Sequence, residues 1–290
     1  MESVKIVTDS TADIPDDLVE ELGIGVVHDY INFGIQSLRD KVDISRSEFY
    51  ARLLIESEMP TTAAPGVGEF ERVYRSVGAP EVSIISLHPP AHLSVLYNTA
   101  HLAAQSFPKG QVTAIATGQI SMGLGWLVIA AAKAAQAGAS VARIVDLVRS
   151  MQPRARVLAA LDTLKFLRRS GRVSWAQALV GALLRIKPML EVYEGQILPL
   201  DRVRTGRRAM DRLVELTAAM SPLESLAVLH SAWYAGAEEL RQRLVHLCPN
   251  SPVLTVDVTP VIGVHVGPNA LGVAAIVALD PLDPPVPFAG

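Results

Sequence analysis

The sequence predicts an α/β fold of two domains, a parallel-sheet half followed by a half with a mixed sheet. In the first half, apolar runs of strand length alternate with helix-length periodic segments, which is typical of crossovers between parallel strands. In the second half, Glu194 and Gly195 separate two apolar runs, a pattern that indicates a tight hairpin and antiparallel pairing. The length of 290 residues fits two domains. Pro153 marks the predicted boundary, giving domains 1–153 and 154–290.

Each element of the first half follows from this alternation. Strands are expected at residues 4–7, 25–33, 82–87 and 112–116. Helices are expected at 16–22, 45–56, 68–76, 92–106, 121–137 and 141–151. Gly138 favours an end to the fifth helix, because glycine adopts a left-handed terminal conformation at least cost.

The second half contains more strand-like runs and fewer helices. Strands are expected at 157–161, 189–192, 197–200, 225–229, 253–258 and 272–279, covered by helices at 205–219 and 235–247. The segment 261–268 resembles a further apolar strand. Four prolines within 280–288 predict an extended tail over the surface.

Composition excludes several classes of protein. A net charge of −3 provides no basic field for nucleic acid or an anionic membrane. The longest apolar stretch, 120–132, is shorter than the roughly 20 residues of a membrane span, so no integral membrane segment is expected. The single cysteine, Cys248, and the lack of a secretory signal predict a cytoplasmic protein.

Polar residues at two places in the first 65 residues are candidates for a binding site. Asp9 and Ser10 follow the first strand, where ligands settle in open α/β sheets, although a helix cap explains them equally well. Thr61 and Thr62 lie between prolines that fix the backbone, so their hydroxyls lose little entropy on binding a ligand.

Two later segments offer further candidates. Ser94 is expected in the first turn of the helix at 92–106, where amides favour an anion, although capping is equally plausible. His88 and His92 nearby are expected to be solvated. His265, between glycines on the expected strand, fits either a ligand contact or a core histidine.

The sequence contains none of the common catalytic or metal-binding motifs. The sequence has no phosphate loop, complete dinucleotide fingerprint, nucleophile elbow or His/Cys cluster at metal-ligand spacing. No catalytic residue, metal site or cofactor is therefore predicted.

A series of segments in a fixed order carries a resemblance that spans nearly the whole chain. The segments are 8–15, 60–65, Ser94 with Tyr97, 121–125, 161–167, 170–174, 186–188, 204–205 and 263–268. Together they resemble the DegV family of bacterial fatty-acid-binding proteins. The resemblance implies a DegV-like two-domain α/β protein with one long-chain fatty acid, such as palmitate, buried between the domains.

The resemblance also implies residue roles. Thr62 and Ser94 would hold the fatty-acid carboxylate, with His265 close by. Supporting residues are expected among Asp9, Ser10, Thr61 and Arg172. Departures from the family pattern, which leave fewer hydroxyls near the head group, are Ala63, Val95, Leu96 and Ala116.

Two functions remain open from the sequence. In the first, the protein is a carrier and not an enzyme, and the resemblance implies that a partner fatty-acid kinase phosphorylates the bound acid for phospholipid synthesis. In the second, His265 acts as base or nucleophile on an acyl or phosphorylated small molecule. The lack of a metal or nucleotide motif favours the carrier. Leucine-rich faces are candidates for the lining of the acyl tunnel, namely Leu124, Leu127 and Val128, and Leu179, Leu183 and Leu184.

Overall fold

The computed structural model describes residues 3–56, 58–78, 81–178 and 186–279. Leu179, Leu183 and Leu184 lie outside the described residues, as does the proline-rich tail at 280–288. The following bounds refer to the described residues.

The strands and helices are numbered separately along the chain. The strands are β1 (Val4–Asp9), β2 (Gly25–Val27), β3 (Tyr30–Phe33), β4 (Gln36–Arg39), β5 (Thr61–Ala63), β6 (Ser83–His88), β7 (Val112–Ala116), β8 (Ala155–Ala160), β9 (Lys187–Tyr193), β10 (Gln196–Val203), β11 (Leu223–His230), β12 (Leu254–Asp257) and β13 (Leu271–Val277). The helices are α1 (Asp16–Leu22), α2 (Arg46–Ile55), α3 (Val67–Val77), α4 (Leu96–Ala104), α5 (Ser121–Gln136), α6 (Val141–Met151), α7 (Lys165–Ser170), α8 (Ser174–Ala178), α9 (Gly206–Ala219), α10 (Tyr234–Leu244) and α11 (Pro260–Val266).

The first sheet is parallel, with strand order β2-β1-β6-β7. At least one helix separates each of these strands from the next along the chain, which is the crossover arrangement that the alternation predicts. The parallel half of the predicted fold is therefore confirmed. Strands β1 and β6 end at Asp9 and His88, so both residues lie on the carboxyl edge of the sheet.

The second sheet is mixed, with strand order β10-β9-β8-β13-β11-β12. Strands β11 and β12 run parallel, and the other neighbouring pairs run antiparallel. Glu194 and Gly195 have φ angles of 46° and 83°, as a two-residue hairpin requires. The hairpin and the mixed sheet are confirmed. Pro153 lies in a short 3₁₀ turn before β8, and the boundary at 153/154 stays a prediction.

Helix α5 lies between the two sheets at close range. A Cβ at Gly125 would stand 2.6 Å from the carbonyl oxygen of Ala12, and one at Gly123 would stand 2.6 Å from Cγ2 of Val157. Glycine is needed at both places because a side chain would separate the helix from its neighbours. Leu124, Leu127 and Val128, proposed above as tunnel lining, are fully buried in the core around this helix.

Residues 25–33 form two strands in different sheets instead of the single expected strand. Strand β2 pairs with β1 in the parallel sheet, whereas β3 belongs to a small antiparallel sheet of order β4-β3-β5. Between them the N–H of Asp29 donates a 3.1 Å hydrogen bond to the Ser10 hydroxyl. The single-strand prediction was wrong because this buried contact turns the chain.

The expectation that 261–268 is an apolar strand was also wrong, since these residues form most of α11 and its end. Pro260 occupies the first turn, where its missing N–H and fixed φ favour a helix. Gly267 ends the helix with φ 73°, and its N–H donates to the carbonyl of Gly263. The helix-start signal of Pro260 and the helix-end signal of Gly267 therefore prevail over the strand preference of the β-branched residues between them.

The helix expected at 92–106 begins at Leu96, four residues late. Pro90 accepts backbone hydrogen bonds from Leu93 and Ser94, so a turn precedes the helix. Ser94 therefore lies before the first turn instead of within it, and its hydroxyl accepts from the N–H of Leu96 at 3.3 Å.

Candidate functional site

A cavity of about 350 Å³, called here the main cavity, lies beside the carboxyl edge of the parallel sheet. Its volume falls in the range of small-molecule sites, roughly 300–1,000 Å³. One wall comes from β5 and the loop after β6, and the facing wall comes from β9, β10 and α11. The main cavity therefore opens between segments of both halves, where ligands bind in open α/β sheets.

Four of the sequence-predicted residues line the main cavity together, namely Thr62, Ser94, Arg172 and His265. Thr62 is held in β5 opposite Ile31, and His265 lies in the last turn of α11. Arg172 follows α7 and donates from Nε to the carbonyl of Leu93 at 3.2 Å. The fold thus brings side chains from four separate parts of the chain to one space.

Two smaller spaces adjoin the main cavity and differ in polarity. An outer chamber of about 250 Å³ shares Thr62, Arg172 and His265 with it and adds Thr61, Arg169 and Ser170. An apolar pocket of about 60 Å³ shares Leu190, Val192, Ile262 and Val266 with the main cavity. The main cavity is therefore continued by a polar space on the side of Thr62 and by an apolar space on the side of Leu190.

The imidazole of His265 is electrically neutral at pH 7. Burial, and then the positive charge of Arg172, lower the pKa of His265 to about 4. Its Nδ1 atom is buried and has no hydrogen-bond partner among the described residues. A neutral imidazole has one donor and one acceptor nitrogen, so His265 has unused hydrogen-bonding capacity at the cavity wall.

The hydroxyls of Thr62 and Ser94 are also available. Within the described chain, no hydrogen bond involves the Thr62 side chain, and Ser94 uses its oxygen only as an acceptor for Leu96. Each O–H can therefore donate to an anion in the main cavity. The Arg172 guanidinium adds a positive charge nearby.

Asp9 and Ser10 do not line any of the three spaces. Asp9 accepts from the backbone N–H of Thr11 at 3.0 Å and pairs with Nδ1 of His88 at 2.6 Å. Ser10 bonds both the backbone N–H and the carboxyl group of Asp29. In this structure both residues hold the turn after β1 behind the cavity wall.

Asp29 lines the main cavity, and the sequence reasoning missed it. Its side chain is only 3% exposed. Burial, and then the neighbouring charges of Asp9 and Asp40, raise the pKa of Asp29 well above its usual range. The sequence does show a carboxylate inside the apolar run 25–33, but the prediction of a single strand there gave that residue no role.

His88 is fully buried, so the expectation of a solvated loop histidine was wrong. Its Nε2 lies 2.6 Å from the Ser86 hydroxyl and its Nδ1 lies 2.6 Å from Asp9. This is the order of a nucleophile, a base and an orienting carboxylate. However, Tyr74 donates to Ser86, and neither Ser86 nor His88 lines the three spaces. The arrangement is a structural network, since a nucleophile must meet its substrate.

Comparison with known proteins identifies the family. Residues 3–278 match the model described as "Uncharacterised protein, DegV family". The chain belongs to the DegV family. A DegV domain-containing protein of Streptomyces coelicolor is 37% identical over 275 residues, covering 93% of this chain and 97% of that protein.

Solved DegV-family structures have the same fold. A fatty-acid-binding DegV-family protein from Thermus thermophilus aligns with a TM-score of 0.86 and 32% identity, covering 95% of this chain and all of that one. DegV of Bacillus subtilis, described as a fatty acid binding protein, aligns with a TM-score of 0.86 and 27% identity, covering 96% and 100%. The two-domain α/β fold class is therefore confirmed.

Within the described part of the chain, no helix has both the length and the apolar character needed to cross a membrane. Within the same residues, no group of three or more His, Cys, Asp or Glu side chains is arranged to hold a metal ion.

Proposed function

We propose that this chain binds one long-chain fatty acid, such as palmitate, in the main cavity. The observation that carries the proposal is that Thr62, Ser94 and His265 line one space and that this space adjoins an apolar pocket. DegV-family structures whose descriptions name fatty-acid binding support it, at 32% and 27% identity.

The acyl chain supplies most of the affinity in this proposal. Burial of each methylene contributes about 0.8 kcal/mol, so a chain of about 16 carbons gains on the order of 10 kcal/mol before ordering costs. The apolar side chains of β9 and α11 that face the cavity and the apolar pocket provide that environment.

The carboxylate is held at the polar end. The free O–H groups of Thr62 and Ser94 donate to it, and the neutral His265 adds an N–H. An anion loses several kcal/mol of solvation unless such donors replace water. The positive charge of Arg172 at the same wall offsets the charge of the carboxylate.

The protein acts as a carrier in this proposal, and a partner kinase phosphorylates the bound acid for phospholipid synthesis. The outer chamber supports this step, because it lies beyond Thr62 and His265 and carries Arg169 and Arg172. A phosphoryl group added to the carboxylate would enter a space with two guanidinium groups, which suit phosphate.

Extraction of purified protein followed by mass spectrometry tests the carrier function. We expect a fatty acid in the organic extract and no intrinsic turnover of acyl or phosphorylated substrates. An extract without lipid, together with turnover by the protein alone, would favour an enzyme instead.

The double variant Thr62→Ala plus Ser94→Ala tests the head-group site. Hydrogen bonds to a charged group contribute about 1.5–3 kcal/mol each, so Kd for a fatty acid should rise by at least about a hundredfold. The matched control is Ser76→Ala plus Thr99→Ala, whose hydroxyls bond only carbonyls of their own helices. An unchanged Kd in the first variant would place the carboxylate elsewhere.

A further inference from the structure

Asp29 is a carboxyl group inside the wall of the main cavity. It joins β2 to β3, and β3 pairs with β5 so that Tyr30 lies opposite Ala63 and Ile31 opposite Thr62. Asp29 therefore lies near the strand that carries Thr62, and both residues line the same space. A fatty-acid head group placed there meets a second carboxyl group.

Only one oxygen of the Asp29 side chain is hydrogen-bonded within the described chain. Its Oδ2 atom accepts from the Ser10 hydroxyl at 3.2 Å, and the backbone N–H of Asp29 donates to Oγ of Ser10 at 3.1 Å. Its Oδ1 atom has no hydrogen bond to a described residue. That oxygen remains available to a ligand in the cavity.

The groups that face Asp29 from neighbouring elements are mainly acidic. Asp9 at the end of β1, Asp40 after β4 and Glu69 in α3 all act on it electrostatically. Asp40 is fully buried with both carboxyl oxygens unpartnered, whereas Asp9 is paired with His88. The main cavity that Asp29 lines is also lined by the neutral His265, the cationic Arg172, and Thr62 and Ser94.

This environment favours a protonated carboxyl group. No lysine, arginine or histidine of the described chain forms an ion pair or hydrogen bond with Asp29, and carboxyl groups that share a buried site cannot all ionise. The raised pKa of Asp29 agrees with this geometry.

We infer that Asp29 is a specificity-determining residue of the fatty-acid site, where its neutral carboxyl group donates an O–H hydrogen bond to the carboxylate of the ligand. The inference rests on the proposed function. An O–H···O⁻ hydrogen bond is charge-assisted and short, whereas an ionised Asp29 would repel the same ligand. Binding is therefore linked to a proton on Asp29.

Isothermal titration with dodecanoate, below its micelle concentration, at pH 6, 7, 8 and 9 tests this linkage. The variant Asp29→Asn keeps the size of the side chain and supplies an N–H donor at every pH. Asp17→Asn, an exposed change in α1, is the matched control. Because the ligand and Asp40 titrate in all three proteins, only their difference reports on Asp29.

We expect the ratio of Kd at pH 9 to Kd at pH 6 to be at least tenfold larger for the wild type and Asp17→Asn than for Asp29→Asn. Titrations in buffers of different ionisation enthalpy should also show more proton uptake by the wild type than by Asp29→Asn at pH 8. His265 stays neutral and Arg172 stays charged across this range, so neither produces the effect.

Equal pH ratios and equal proton uptake in the wild type and Asp29→Asn would overturn the role of Asp29 and leave fatty-acid binding intact. Wild-type protein that binds no dodecanoate at any pH would overturn the proposed function itself. If Asp29→Asn fails to fold, the absence of net proton uptake when the wild type binds dodecanoate at pH 8 would equally exclude the inference.

Discussion

The neutral state of His265 determines how the head-group site responds to acid. With the pKa of this imidazole lowered to about 4, it carries no charge across the range in which most histidines titrate. In the proposed site, its contribution to ligand binding would therefore be a hydrogen bond from a neutral ring and not an ion pair.

His265→Ala should raise Kd for a fatty acid about tenfold, because it removes one donor to a charged group. The loss should be the same at pH 6 and pH 8, since the ring is neutral at both. Titration calorimetry at the two pH values measures it. His246→Ala, an exposed change after α10, serves as the control. A loss that appears only at pH 6 would mean that the ring is charged when it binds.

The buried network of Asp9, His88 and Ser86 should matter for stability more than for binding. Asp9→Ala leaves His88 and Thr11 without a buried acceptor, which costs about 3 kcal/mol. Ser86→Ala removes a weaker neutral contact and should cost about 1 kcal/mol. Denaturant unfolding gives both values. Equal losses in the two variants would contradict a dominant Asp9–His88 pair.

At the level of single residues, the sequence singled out several side chains that line the main cavity but missed Asp29. Thr62, Ser94 and His265 stand out because hydroxyls and an imidazole interrupt rigid or glycine-rich segments. Asp29 did not stand out, because its significance depends on Asp9 and Asp40 reaching it through the fold. The spacing of Asp9, Asp29 and Asp40 along the sequence does not show that they lie close together in the fold.

At the scale of single elements, α11 is the one that sequence periodicity misassigned and that the site depends on. Its β-branched residues favour a strand locally, but Pro260 and Gly267 delimit a helix that packs on α2 and α7. The strands β4 and β5, four and three residues long, were missed because so short a segment shows no period.

Gly267→Ala should destabilise the protein by at least about 2 kcal/mol. The position has φ 73°, which costs an L-residue about 1–2 kcal/mol, and the added Cβ would stand 2.2 Å from the ring of Phe166. Thermal or denaturant unfolding measures the loss.

Gly68→Ala is the matched control for that change. It lies in the first turns of α3 with nothing within 4 Å of its Cβ position, so alanine should stabilise the helix by about 0.5–1 kcal/mol. Changes of the same sign in both variants would contradict the conformational argument.

For the whole molecule, buried carboxyl groups should make stability fall as pH rises from about 4 through neutrality. Burial raises the pKa of Asp13 to about 6 and of Asp40 to about 7. The folded protein therefore holds protons that the unfolded chain releases near pH 4, and stability declines as pH passes the folded pKa values. His265, with its lowered pKa, opposes this trend only below about pH 6.5.

We expect the free energy of unfolding to drop by at least about 1 kcal/mol between pH 6.5 and 8, because the protonated Asp29 adds to the loss from Asp13 and Asp40. Asp40→Asn should flatten this slope, because it removes one of the titrating groups, whereas Asp17→Asn should leave it unchanged. Denaturant unfolding at several pH values provides the measurement. A stability that rises over this interval would show that these carboxyl groups are ionised in the folded state.

The overall architecture was largely predictable from the sequence. The alternation of apolar runs and periodic segments gave the parallel sheet, and the Glu194–Gly195 turn gave the antiparallel part of the second sheet. The small sheet and the division of residues 25–33 between two sheets were not predictable. They depend on the Ser10–Asp29 contact, which joins residues 19 positions apart in the chain.

The position of α5 has a mechanical consequence. Helix α5 contacts both sheets: Gly125 packs against the turn after β1, Gly123 packs against β8, and the Trp126 indole N–H donates to the carbonyl of Ala274. Separation of the two sheets would break all of these contacts together. In the proposed function, a ligand would therefore enter without separation of the two sheets, past the part of the cavity wall where Arg172 donates a single hydrogen bond to the backbone of Leu93.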